Sequence, residues 1–291
     1  MALPSSDTVV TYPAGATSAE GVVVHVEPLA DGRSAVMLDS TAAHPVDTAW
    51  PDQPADRAVL RTAAGTQPIL DVVTAGISEG RLHLGADLPV RTGTEGWTFV
   101  VAHVIDGGAP EPGSVARVEV DVDYRDALSA GHTGCHLASL ALDEALAERW
   151  TKPAPTDALG NPAFDALAIE RSRIHENGSV DVYRLGKSLR RKGFPADGFA
   201  DPAGIAERVN RRLAEWISAG GAVQIRVDDP RLSARRSWEC DLPDARVSIP
   251  CGGTHLTDLA ELSNASVSFE ITDLGSATEV RMTTTVQRRH S

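Results

Sequence analysis

The spacing of hydrophobic and polar positions changes once along this chain. Up to about residue 110, short apolar or alternating runs are punctuated by turn residues, which is the pattern of β structure. The clearest predicted strands are Gly21–Val26, Ser34–Asp39, Ile69–Val73 and Trp97–Val104. The proline-rich segment from Thr41 to Asp56 is expected to be ordered by packing rather than by its own secondary structure. Gly107-Gly-Ala-Pro-Glu-Pro-Gly113 is the expected joint between domains, and Val115 to Asp123 alternates like a further strand. The period then lengthens. Asp126 to Trp150 reads as a long helix, with Leu128, His132, Cys135/His136, Leu140 and Leu146 at helical spacing and Pro153 and Pro155 beyond its end. A second helix is predicted from about Pro202 to Ala219, where Ile205, Val209, Leu213 and Trp216/Ile217 form one apolar stripe before Gly220-Gly221. Ala222–Val227, Arg246–Ile249, Ser266–Ile271 and Glu279–Val286 read as strands, and His175-Glu-Asn-Gly178 as a turn. The predicted class is α+β, with a β domain at residues 1–112 and an α+β domain at residues 113–291 whose long helices pack on an antiparallel sheet.

Composition narrows this picture. The chain has 291 residues, 42% of them hydrophobic and 23% charged, as expected of a globular protein. Aromatic residues are only 4%, so the core must rest on Ala, Val, Leu and Ile. No apolar run approaches the roughly 18–20 residues that cross a bilayer, and no membrane partner is expected. Met1-Ala-Leu-Pro-Ser-Ser-Asp7 lacks a basic segment followed by an apolar one, so no secretory signal is expected. Three cysteines, Cys135, Cys240 and Cys251, are too few and too odd in number for a disulfide framework. A reducing cytoplasm is the expected compartment.

The net charge of −13 opposes binding to nucleic acid, but it is unevenly distributed. Arg171 to Arg236 holds fourteen Lys/Arg against eight Asp/Glu, about +6, leaving about −19 for the rest. A polyanion would have to approach that one segment. Tyr183-Arg-Leu-Gly-Lys-Ser-Leu-Arg-Arg-Lys192 is its densest basic run.

Two short stretches carry candidate chemistry. His132-Thr-Gly-Cys-His136 puts two imidazoles at i and i+4 on one helix face, within reach of one ion. Alone, such a pair also arises by chance. Cys251-Gly-Gly-Thr-His255 adds a thiolate and a third imidazole after a strand, with two glycines that allow a tight turn. Together His132, His136, Cys251 and His255 make a nitrogen and sulfur set suited to one tetrahedral zinc ion per chain. Cys251 alone also fits a buried thiol, Cys240 reads as core, and Cys135 as a small helical residue turned about 100° from its neighbours.

The pair of motifs resembles the editing domain of alanyl-tRNA synthetase and its free-standing AlaX-type trans-editing relatives. The matching stretches are Asp121-Val-Asp-Tyr-Arg-Asp-Ala-Leu-Ser-Ala-Gly-His-Thr-Gly-Cys-His136 and Ile249-Pro-Cys-Gly-Gly-Thr-His255. The threonyl-tRNA synthetase editing domain is similar in architecture, but the Gly-Gly-Thr between Cys251 and His255 favours the alanyl type. Family members with an N-terminal barrel carry a Gly-Gly-Gly-Gln-Pro-x-Asp loop. This chain has Trp50-Pro-Asp-Gln-Pro-Ala-Asp56, which keeps Gln53, Pro54 and Asp56 without the glycines. Leu38-Asp-Ser-Thr41 and Leu82-His83 also fall where the family has similar residues. After His255 the family's Thr-Gly-Glu-Ile-Gly-like turn is replaced by Leu256-Thr-Asp-Leu-Ala-Glu-Leu262, with Glu261 the candidate for its acidic position.

The resemblance implies a β-barrel-like N-terminal domain and zinc-dependent hydrolysis of mischarged seryl- or glycyl-tRNA(Ala), in trans, by a chain without room for an aminoacylation domain. It implies tRNA as partner, with Gln53 near the acceptor end and Arg184, Lys187, Arg190, Arg191 and Lys192 on phosphates. Thr133 and Thr254, beside the ligands, are the candidate catalytic-site hydroxyls that recognise serine, and helix or turn hydroxyls are the plainer alternative. Two rival functions remain at this point: a metal-dependent hydrolase of another acyl substrate, and a non-catalytic protein that binds zinc or tRNA.

Overall fold

The computed structural model describes residues 2–289. Nine strands precede the first α-helix among the described residues: β1 (Val9–Val10), β2 (Ser18–Pro28), β3 (Ser34–Leu38), β4 (Ser40–Thr41), β5 (Ala58–Thr62), β6 (Gly65–Ser78), β7 (Arg81–Leu84), β8 (Thr98–Ile105) and β9 (Val115–Val120). Then come α1 (Val122–Leu146), α2 (Phe164–Ala168), β10 (Ile169–His175), β11 (Gly178–Leu185), α3 (Lys187–Arg191) and α4 (Pro202–Ala219). The chain continues through β12 (Val223–Val227), β13 (Arg236–Asp241), β14 (Arg246–Pro250), β15 (Leu262–Asp273) and β16 (Thr278–Arg288). This is an α+β fold with several antiparallel sheets and four α-helices among the described residues. By internal contacts it divides into two compact units. The first is Met1–Asp126 with Ile225–Ser237 and Pro250–Thr254, and the second is Ala127–Gln224 with Trp238–Ile249 and His255–Ser291.

The first unit is built on a seven-stranded sheet in the order β5-β9-β2-β3-β8-β6-β7, antiparallel throughout, and β5 also pairs with β6. The apolar runs explain why its middle strands are buried on both faces. In β3, Val36 and Leu38 join one core cluster with Val23, Leu60, Phe99 and Val118, while Ala35 and Met37 join another with Ala75, Val100 and Ala102. The proline-rich segment is anchored from below. Asp56, 4% exposed, forms an ion pair with Arg125, which is equally buried, and Arg125 also donates to the Ala42 carbonyl at 2.9 Å.

The second unit carries a four-stranded antiparallel sheet in the order β10-β11-β16-β15, and α4 lies against β15. The predicted stripe is the buried face of α4. Asp201 caps its first turn by accepting from the Gly204 N–H, Pro202 opens it, and Gly220 ends it at φ 71°. Asn210 reads the edge of Val267 with both halves of its amide, at 2.6 and 3.2 Å.

Helix α1 starts before its predicted beginning, at Val122, where the Asp121 carboxylate accepts from the Tyr124 N–H at 3.1 Å. Every residue from Ala127 to Gly134 is buried, so the helix has no solvated face there. Small residues make this possible. A Cβ on Gly131 would come within 2.5 Å of the His175 carbonyl oxygen and 2.6 Å of that of Gly178, and one on Gly134 within 2.4 Å of Val286 Cγ1. The β10–β11 hairpin that Gly131 meets is absent from the sequence-based prediction, which marks only its turn. In the structure Asn177 turns it with φ 58°.

Beneath α1 lies a buried acidic network. Asp181 accepts from Ser172 and Ser179 at 2.6 and 2.9 Å and from the Cys135 thiol at 3.6 Å. Asp165 accepts from the Tyr183 hydroxyl at 2.9 Å, and Asp143 from the Asp165 N–H at 2.7 Å. Burial pushes Asp165 up to about 6 and Asp143 up to about 9.

Gly131→Ala should destabilise the protein by about 1–3 kcal/mol or more, because backbone rather than a flexible side chain would have to yield. Thermal unfolding checks this, and a wild-type midpoint would contradict the close approach. For Asp143 the folded value exceeds the unfolded one near 3.8, so the stability it contributes is fully present below about pH 4 and lost as pH rises through about 9. Asp143→Asn should flatten the decline in midpoint over that window, and parallel curves would contradict the buried neutral carboxyl.

Candidate metal centre

Two elements of the second unit deliver the three imidazoles. Helix α1 carries His132, 2% exposed, and His136 one turn later, with ring centroids 5.0 Å apart. His255 stands 4.3 Å from His132 and 5.1 Å from His136 by the same measure. Strand β14 ends at Pro250 and so delivers Cys251, whose N–H donates to the Arg236 carbonyl at 3.2 Å. The ligand atoms of His132, His136, Cys251 and His255 all lie within 4.8 Å of one another. Ligands at about 2.0–2.3 Å from one zinc ion would be roughly 3.3–3.8 Å apart, so the group has the dimensions that a single ion closes.

Independent observations fit a metal to this group. His136 Nε2 is buried and has no hydrogen-bond partner, a costly state for a ring nitrogen unless something outside the protein coordinates it. Burial lowers the His136 imidazole to about 4, which keeps the ring neutral and its lone pair available. Burial also pushes the Cys251 thiol up to about 12, so a bound cation would be what draws off its proton. The donors, three imidazole nitrogens and one sulfur, suit zinc among the common ions.

The turn has a support that the sequence did not announce. A Cβ on Gly252 would meet nothing and its φ is not positive, so the turn does not depend on glycine's conformational freedom at Gly252. The Gln53 amide pins it instead. Gln53 Nε2 donates to Thr254 Oγ1 at 2.9 Å, and the Thr254 N–H donates to Gln53 Oε1 at 3.0 Å. Gln53, expected at the acceptor end of tRNA, is only 2% exposed. Beyond His255, Glu261 accepts from the Thr257 and Asp258 N–H groups at 2.8 and 3.1 Å, closing a capping box with Asp258.

Thr133 is fully buried, and its hydroxyl is shared between His255 Nδ1 at 3.3 Å and the Leu256 N–H at 3.2 Å. That contact engages His255 Nδ1, as the second nitrogen of a ligating histidine is usually engaged. Trp238 on β13 was not anticipated from the sequence. It is fully buried and stacks on His136 at 4.9 Å. Its strand alternates too briefly, and with too much charge, to stand out. The basic run divides: Arg184 is on β11 with Glu170 at 3.7 Å, and Lys187, Arg190 and Arg191 are on α3, followed by Lys192 at its C-cap. All five are exposed, and Lys152 joins them by donating to the Arg191 carbonyl at 3.3 Å.

Fold and site together define an α+β protein with a helix-and-turn His/Cys centre able to hold a metal ion. The chain is similar to part of the alanine–tRNA ligase of Pyrobaculum calidifontis, 30% identical over 78% of this chain and 21% of that protein. It is likewise similar to the alanine–tRNA ligases of Pyrobaculum aerophilum, 25% identical over 78% of this chain, and Halorubrum lacusprofundi, 28% over 66%. The resemblance to alanyl-tRNA synthetase expected from the two motifs is borne out over most of the chain. The chain spans about a fifth of the length of these relatives, and no family model matches it. Among the described residues, no helix is long and apolar enough to cross a membrane.

Protein purified without added metal should contain one metal ion per chain by elemental analysis. His136→Ala and Cys251→Ala should each lose it, and full metal content in both variants would contradict this ligand set.

Proposed function

We propose that this protein is a zinc-dependent aminoacyl-tRNA deacylase that hydrolyses the ester of serine or glycine mischarged on tRNA(Ala). One observation carries this reading above the rest: the His132, His136, Cys251 and His255 cluster lies in a chain similar to alanine–tRNA ligases over most of its length. The functional division is taken at the expected boundary, with residues 1–112 as the β-barrel-like domain and 113–291 as the editing domain, except that β9 (Val115–Val120) pairs with β2 and β5 and belongs with the barrel. Support for the barrel comes from β5, which pairs with both β9 and β6 so that six strands form a ring of pairings.

Zinc at these side chains would polarise the ester carbonyl or bring the pKa of a bound water towards about 7, with one of the four ligands yielding or the shell expanding to admit it. The chain's own groups do the rest. Thr133 holds the His255 ring through its hydroxyl, and Gln53 holds the turn through Thr254. The same two hydroxyls are the groups by which serine would be told from alanine. Both already have partners within the protein, so the discrimination is the one further hydrogen bond that serine makes and alanine cannot, about 0.5–1.5 kcal/mol, roughly two- to tenfold. The exposed cluster of Arg184, Lys187, Arg190, Arg191 and Lys192 is suited to tRNA phosphates, and the other described residues of those elements leave it net basic.

The test is deacylation of seryl-, glycyl- and alanyl-tRNA(Ala) by metal-quantified protein, with seryl-tRNA cleaved and alanyl-tRNA spared. Intact seryl- and glycyl-tRNA would overturn editing and favour a hydrolase of another acyl substrate. Thr133→Val and Thr254→Val should shrink the serine preference while zinc is retained, whereas loss of zinc would assign the hydroxyls to holding ligands. Reversing Arg190, Arg191 and Lys192 to Glu should weaken tRNA binding and flatten its log–log salt dependence by about 0.9 per lost duplex phosphate contact. An unchanged slope would make the cluster a solvated face.

A further inference from the structure

We propose that Trp238 is a positioning residue of the metal centre, fixing the His136 ring by stacking where a hydrogen bond would ordinarily fix it. The proposal rests on the metal-binding reading of the His/Cys cluster.

A ligating histidine is normally aimed by a hydrogen bond from its second nitrogen to a carbonyl, carboxylate or hydroxyl. His255 has such an arrangement, its Nδ1 lying 3.3 Å from the Thr133 hydroxyl. His136 does not: among the described residues its ring makes no hydrogen bond, and its buried Nε2 stands unpartnered. The freedom this leaves is rotation of the imidazole about χ2, which would swing Nε2 away from the other three ligands. What opposes rotation is the indole of Trp238, whose centroid lies 4.9 Å from that of His136 with 30° between the planes. The same indole reaches the His255 ring at 6.0 Å. Trp238 is fully buried and its own Nε1–H is also without a partner, so the ring is held by packing and offers the histidine its face rather than its donor. A broad aromatic face stacked on a neutral imidazole restricts tilt and keeps water off the rear of the ligand.

The probe is cobalt(II), an ion for the same donor set whose visible absorption reports ligand geometry and which quenches nearby indole fluorescence. Trp238→Phe keeps an aromatic face and should retain one cobalt per chain with wild-type affinity, while losing most of the cobalt-dependent quenching despite the other four tryptophans. Trp238→Leu removes the face and should bind cobalt about 10- to 100-fold more weakly in chelator competition, with an altered absorption band. Wild-type affinity and an unchanged band in the Leu variant, or undiminished quenching in the Phe variant, would overturn the proposal. If the Leu variant fails to fold, the quenching of the Phe variant decides. Failure of the wild-type protein itself to take up cobalt would instead overturn the metal reading, and this proposal with it.

Discussion

The packing of α1 against the β10–β11 hairpin and β16 is the constraint on which the second unit depends. Gly131 and Gly134 bring the helix so close to the strands that backbone and Val286 occupy the space a side chain would need. This contact sets the rotation of the helix about its axis. With residues 131 and 134 turned to the sheet, the histidines at 132 and 136 are presented on a flank of the same helix, where His255 and Trp238 meet them. A small rotation of α1 would leave the histidines intact and their convergence lost.

Close packing has an electrostatic consequence. Cys135, one residue from a ligand, turns to Asp181, and Asp143 is likewise buried, with desolvation raising both it and Asp165. Desolvation holds these carboxyls toward their neutral forms, where a protonated oxygen can bond without isolating a charge. Arg125 and Asp56 in the first unit solve the same problem differently, by mutual charge and by carbonyl contacts that satisfy the guanidinium.

Much of this was legible in the sequence where one physical requirement dominated. The stripe of α4 shows its buried face because the helix has only one, and the runs in β3 and β8 are apolar because both faces are covered. The ligand set was legible because the residue types are uncommon and the spacing of His132 and His136 belongs to a single helix face. The hairpin at residues 169–185 was not, since Ser179 and Asp181 are polar positions buried within it, and alternation cannot tell a buried polar residue from an exposed one. Nor does local pattern anticipate Gln53 meeting Thr254, because the two lie two hundred positions apart and their pairing is created by the fold.

The remaining question about the centre is what makes it favourable to gather these donor atoms. Three imidazoles within about 5 Å of one another cannot share positive charge cheaply, and burial has already lowered His136 to about 4. A neutral His136 ring eases the repulsion but creates a second cost, because its buried Nε2 lone pair has given up water without gaining a donor. A divalent cation accepts all four at once, keeps the imidazoles neutral and converts the thiol to the thiolate that balances part of its charge. The residues that bear no charge themselves, Thr133, Gln53 and Trp238, then have a common purpose: each holds in place a donor that is stable only when the others are also in place.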